Sequence, residues 1–208
     1  MSTVFKHLDA PNEKLFFSRN DPSDLRMGDS TLRGERNFAD EVRVGIIGVP
    51  TDEGVKRNGG RIGAKAGPDA IRTEFYKRTS FVIGKEKSPS MVPVFDFGNI
   101  KIGKTLEETH GRLSEVVHSL VSANIIPIVL GGGHDIAYPN FAGFSKGKQT
   151  VGVINIDTHL DYHKPIPKRN SGTSFRQMLD QHQSPLNAMN LVEIGTQSFA
   201  NSVDHYSE

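Results

Sequence analysis

Cysteine is absent from the 208 residues. That removes disulfide frameworks and thiolate metal sites, so any bound metal must sit on His, Asp or Glu. No apolar run approaches the ~20 residues needed to span a bilayer. Residues Met1 to Phe17 also lack the continuous apolar core of a signal peptide, and cytoplasmic residence is the expectation. An excess of one charge is missing too. The 25 basic and 24 acidic residues nearly cancel and are interspersed, which leaves no electrostatic footprint for nucleic acid or an anionic membrane. What is present is 36% hydrophobic and 24% charged residues, a balance that lets a chain of this length bury a sizeable core. A partner must then be read from a site, and the 8 histidines and the aspartates are the residues to place.

Residues 1–40 are polar, with only short apolar pieces, and read as an irregular or partly helical lead-in. From residue 41 to 208 the pattern changes to short apolar runs separated by helical stretches. Val42 to Val49, Val92 to Phe97, Ile125 to Leu130, Val151 to Ile156 and Leu191 to Ile194 look like buried strands. Pro68 opens one predicted helix from its first turn. Leu106 to Ala123 forms another, with Leu113, Val116, Val117 and Leu120 on one stripe, and further helices are expected near Asp135 and Thr173. This alternation predicts parallel βαβ units and an α/β fold, a three-layer α-β-α sandwich with a mainly parallel sheet.

In such a sheet the ligand site lies at the carboxyl ends of the strands. After Leu130 come Gly131, Gly132, Gly133, His134 and Asp135; after Ile156 come Asp157, Thr158, His159, Leu160 and Asp161. If the second run continued as a strand, Asp157, His159 and Asp161 would emerge on one face. The triple glycine would let the backbone pass close to the neighbouring strand end, so that His134 projects into the same pocket. Carboxylates with imidazole suit Mn²⁺, Zn²⁺ or Fe²⁺, and ligand type alone does not choose among them.

At these residues the chain resembles the ureohydrolase family of arginases and agmatinases. Gly131 to Asp135 is similar to that family's first metal motif and Asn155 to Asp161 to its second. Gly48 to Arg72 is similar to its N-terminal loop, and Asp96-Phe97-Gly98-Asn99 also fits. The resemblance runs from about Val42 to Asn201 and implies an arginase-like fold. It further implies two Mn²⁺ ions bridged by Asp157, with His134 and Asp161 on one side and His159 on the other. Hydroxide held between the metals would attack an amidine carbon, with no side-chain nucleophile.

Ser171-Gly172-Thr173 stands where agmatinase-like members show His-Gly-Thr, and Phe175 where arginases place a histidine. With Gly133 in place of an acidic residue, the chain looks most like the formimidoylglutamase branch, which hydrolyses N-formimidoyl-L-glutamate to L-glutamate and formamide. For such a small-molecule amidine, Asn58, Arg61, Ser171 and Arg176 are the candidate substrate contacts, because guanidinium groups bind carboxylates bidentately. No catalytic role falls to His163. Two alternatives stand beside this reading: a guanidino hydrolase of the agmatinase or guanidinobutyrase kind, and an inactive relic that acts only by association with other subunits.

The family's later Ser-x-Asp-x-Asp motif has no match here. The run Ser202-Val203-Asp204-His205-Tyr206 mimics the spacing superficially but follows no apolar strand. The expectation is a second metal site left incomplete, with unpaired strand edges and bare apolar faces where later strands would lie. The family also implies a homo-oligomer.

Overall fold

A computed structural model describes residues 5–34, 42–80, 92–165 and 167–207. Six strands carry it: β1 (Leu8–Asp9), β2 (Val44–Val49), β3 (Val94–Ile100), β4 (Ile126–Gly131), β5 (Val153–Ile156) and β6 (Leu191–Ile194). The α-helices are α1 (Met27–Ser30), α2 (Glu53–Arg57), α3 (Gly67–Tyr76), α4 (Leu106–Ser122), α5 (Ala137–Ser145), α6 (Ser174–Asp180) and α7 (Val203–Ser207). Each apolar run from Val42 onward is a strand, trimmed by up to two residues at its start. The α/β reading stands.

The limits of α4 are written in its sequence. The Thr105 hydroxyl accepts the Glu108 N–H at 3.1 Å and the Glu108 carboxylate accepts the Lys104 N–H at 2.7 Å, which satisfies donors at the helix start. At the other end Asn124 takes φ 57°. The Asn124 N–H reaches the Val121 carbonyl and the Ile125 N–H reaches the Leu120 carbonyl, a Schellman closure that leads directly into β4. Between these ends Leu113, Val116, Val117 and Leu120 bury the expected stripe against Phe95, Phe97 and Ile47.

Strands β3, β2 and β4 are parallel in that order, with β1 antiparallel on the outer edge of β3. The register of β2 on β4 runs from Val44 opposite Ile126 to Val49 opposite Gly131, so their carboxyl ends finish level. Strands β5 and β6 form a separate parallel pair. The expected single sheet is therefore two sheets among the described residues. Between them lies a cavity of about 390 Å³ lined by Ile126, Pro127, His134, Phe141, Val153 and Asn155, among others.

This division corrects the expectation that all these strands are buried. Strands β2 and β3 are, but β5 is covered on one face only: Asn155 is 6% exposed while its neighbours Ile154 and Ile156 are 68% and 78% exposed. Ile126 and Ile128 on β4, and Val192 and Ile194 on β6, are likewise exposed. Successive side chains point to opposite faces, and nothing described packs on the second face.

The lead-in is bound to the core, and its residues 1–4 and 35–40 lie outside the described residues. Leu32 donates to Val94 and accepts from Asp96. The Phe16 ring stacks on Tyr76 at 4.3 Å, with the Arg33 guanidinium over Phe16. Beneath this stack Arg72 and Asp96, both buried, pair through Nε–Oδ2 and Nη2–Oδ1 bonds of 2.8 and 2.9 Å. Tyr76 donates its hydroxyl to the same carboxylate. Burial, followed by the Asp96 charge, pushes the Tyr76 phenol well above its ordinary value. No described helix is long and apolar enough to cross a membrane.

Candidate metal centre

The site grows from the level ends of β2 and β4. Beyond Gly131 the chain runs tightly past the end of β2, and a Cβ on Gly132 would lie 2.3 Å from the Thr51 carbonyl oxygen. Here glycine is required by close approach of backbone to backbone. The Gly133 N–H then donates to Thr51 at 2.9 Å, and His134 opens a short 3₁₀ turn. Three contacts hold this turn. The buried Asp135 carboxylate meets His110 Nε2 at 2.8 Å, the Ser174 hydroxyl donates to the His134 carbonyl at 3.0 Å, and the Phe175 ring lies 5.8 Å from the His134 ring.

The second run departs from the sequence expectation. Strand β5 stops at Ile156. Asp157 then folds its carboxylate back onto the His159 N–H at 2.9 Å, a local competition with strand hydrogen bonding that short acidic side chains favour. The chain turns, and Asp161 sits at φ 46°. Asp157 and Asp161 therefore come together across a turn and not along a strand face. His159 is turned out: its side chain is 59% exposed and its Nδ1 lies 3.3 Å from Asp157. One metal-competent group results among the described residues, made by His134, Asp157 and Asp161 with one ligand atom from each within 4.8 Å of the others. His159 is not part of it. Asp204 is exposed on α7 and is not part of it either.

The electrostatics of this group suit a cation. His134 Nε2 lies 3.2 Å from Asp161 Oδ2, yet it is buried with no hydrogen-bond partner. Burial raises the Asp161 carboxyl above its ordinary value; the Asp157 charge adds to this while His134 and His159 oppose it. Two carboxylates brought together with an unpartnered imidazole nitrogen are costly unless a positive charge joins them. The oxygen and nitrogen donors fit a hard or borderline divalent ion.

Glu193 on β6 adds a carboxylate that the sequence reading missed. Asn155 Nδ2 donates to it at 2.8 Å. Burial raises its pKa, the hydrogen bond lowers it, and the Asp161 and Asp157 charges raise it further. A single acid inside the apolar run Leu191 to Ile194 was the available signal.

The four substrate candidates divide. Asn58 and the Ser171 segment adjoin: the Ser171 N–H donates to the Gly54 carbonyl of α2, and a Cβ on Gly172 would lie 3.1 Å from Asn58 Nδ2. Arg57 reinforces the junction by donating to Glu53, Glu107 and the Arg169 carbonyl. Arg61 is exposed in the loop that follows. Arg176 is engaged elsewhere, its Nη1 donating to the Tyr162 hydroxyl at 3.0 Å and its Nε lying 3.7 Å from Asp180. The His163 ring packs edge-on against His205 at 4.5 Å.

Comparison with known proteins extends this picture. The chain is 38% identical over 169 residues to the formimidoylglutamase of Streptococcus gordonii, covering 78% of this chain and 49% of that protein. It is 37% identical over 169 residues to that of Clostridium tetani, covering 76% and 46%. The chain thus spans about half the length of these curated relatives. Trypanosoma cruzi formiminoglutamase, crystallised with Mn²⁺, superimposes with a TM-score of 0.79 at 32% identity, over 88% of this chain and 61% of that one. Residues 42–208 match the arginase family, and with the fold in agreement, the chain belongs to that family.

Proposed function

We propose that this chain serves in the hydrolysis of a linear amidine, N-formimidoyl-L-glutamate, to L-glutamate and formamide, and that His134, Asp157 and Asp161 hold Mn²⁺ for that reaction. The observation that carries the reading is the convergence of these three side chains, with His134 Nε2 buried and without a hydrogen-bond partner. A bound divalent ion would supply water activation and polarisation of the amidine.

The protein's own groups do the rest. The two carboxylates balance the charge of the cation, and the imidazole must stay neutral to offer its lone pair. The Asn58 amide, which adjoins the Ser171 segment, is assigned to holding the amidine. Arg61, exposed at the loop, is assigned to a substrate carboxylate. Arg176 is assigned to bracing Tyr162, given its bond to that hydroxyl. A homo-oligomer is the assembly assigned to the chain, as the resemblance implies.

The test loads the purified chain with Mn²⁺, measures stoichiometry, and assays formamide from N-formimidoyl-L-glutamate against urea from guanidino substrates. Expected are Mn²⁺ binding that His134→Ala removes, and formamide release. Absence of Mn²⁺ binding overturns the metal assignment, and urea release without formamide transfers the chain to the guanidino hydrolases.

A further inference from the structure

We infer that Asn201 is a positioning residue for the metal centre, because its side chain clamps the turn that joins Asp157 to Asp161. This inference rests on the reading of His134, Asp157 and Asp161 as metal-binding. The turn lies between the two carboxylates, and its backbone groups are tied by residues outside it. Asn201 Oδ1 accepts the Leu160 N–H at 2.8 Å, while Asn201 Nδ2 donates to the Thr158 carbonyl at 3.0 Å and to the Gln197 carbonyl at 2.9 Å. The Gln197 N–H reaches the same Thr158 carbonyl at 3.0 Å. One amide side chain thus bridges two residues of the turn, with its remaining donor capacity anchored on Gln197.

The need for such a clamp follows from Asp161. Its φ of 46° is left-handed backbone, which is strained for a residue with a Cβ and persists where the surroundings hold it. Released, Asp161 would return to negative φ and swing its carboxylate away from His134. The hydrogen bonds of Asn201 go to Leu160, Thr158, Gln197 and the Tyr206 hydroxyl and to none of the three ligand side chains, so it acts through the backbone between them. Nothing about a lone asparagine beyond an apolar strand marks it in the sequence.

The experiment measures Mn²⁺ affinity from the electron paramagnetic resonance signal of free Mn²⁺, with Tm followed separately, in the whole chain. Asn201→Ala should weaken Mn²⁺ binding by about 10–100-fold, the range for groups that orient metal ligands, with Tm close to that of the unsubstituted chain. Asn201→Asp keeps the acceptor for Leu160 and should fall between. Asn187→Ala removes a comparable bond, to the Met189 N–H at 2.9 Å, in a turn away from the site, and should leave affinity unchanged. If the unsubstituted chain binds no Mn²⁺, the underlying metal reading fails and this inference with it. If it binds while Asn201→Ala binds equally well, or Asn187→Ala loses as much affinity, the metal reading stands and the positioning role is overturned.

Discussion

Replacing Asp96 with Asn should be among the most damaging conservative changes in this protein. The Arg72 guanidinium is 1% exposed and Asp96 is 0% exposed. Arg72 makes two bonds to that carboxylate, one of 2.7 Å to Asn99 Oδ1 and one of 2.9 Å to the Gly98 carbonyl. An amide at position 96 keeps the shape but removes the charge. A buried cation is then left with neutral acceptors and only the half-exposed Asp69 carboxylate, 3.7 Å from its Nη1, and breaking a buried pair in this way costs about 3–5 kcal/mol. Against a total stability of about 5–15 kcal/mol that is a large share, and it corresponds to roughly 6–20 °C in Tm for a chain of this size. With no tryptophan in the sequence, far-UV circular dichroism during urea unfolding is the suitable assay. Arg72→Met added to Asp96→Asn should cost much less than Arg72→Met alone, because the charge it would have orphaned is already gone. A loss below about 1 kcal/mol for Asp96→Asn, or full additivity of the two changes, would refute the argument.

Three further outcomes follow from the structure. The Arg57 hydrogen bond pulls the Glu107 carboxyl from 4.5 down to about 2; the stability it gives is present above pH ~4.5 and is lost as pH falls toward 2, and Glu107→Gln should flatten that part of an acid-unfolding curve. Because Glu107 is 46% exposed, the difference should stay below ~1 kcal/mol; an unaltered acid limb would contradict the assignment. Gly132→Ala places a Cβ 2.3 Å from the Thr51 carbonyl oxygen, so the backbone must shift, at a cost of about 1–3 kcal/mol, and Mn²⁺ affinity should drop with it; equilibrium unfolding and metal titration both read this, and unchanged values would show that the loop has slack. Ile154→Lys with Ile156→Lys should reduce concentration-dependent self-association in light scattering, since both side chains are exposed on an apolar face; an unchanged mass would remove that face from the interface.

What the sequence determined by itself is the local architecture. Apolar runs of strand length, a helical stripe of Leu113, Val116, Val117 and Leu120, and the threonine and asparagine that bound α4 are short-range signals, and each produced the element it announces. Gly132 is only half of this kind, because the glycine run announced a close passage but the backbone it passes, that of Thr51 beyond β2, is supplied by the tertiary structure. The pairing of His134 with Asp161 was half legible: the strand ends pointed to it, but the expected alternation put His159 in the group, whereas β5 ends at Ile156 and the Asp157 carboxylate accepts the His159 N–H, with the His159 side chain turned outward. Only the tertiary structure decided the rest. Glu193 and Asn201 meet the site from distant stretches of chain, and no periodicity marks a residue whose partner is 38 or 41 positions away. The same holds for the division into two sheets, because hydrogen bonding between strands depends on which edges the helices bring together, whereas apolar patterning records only that a strand has a face to bury.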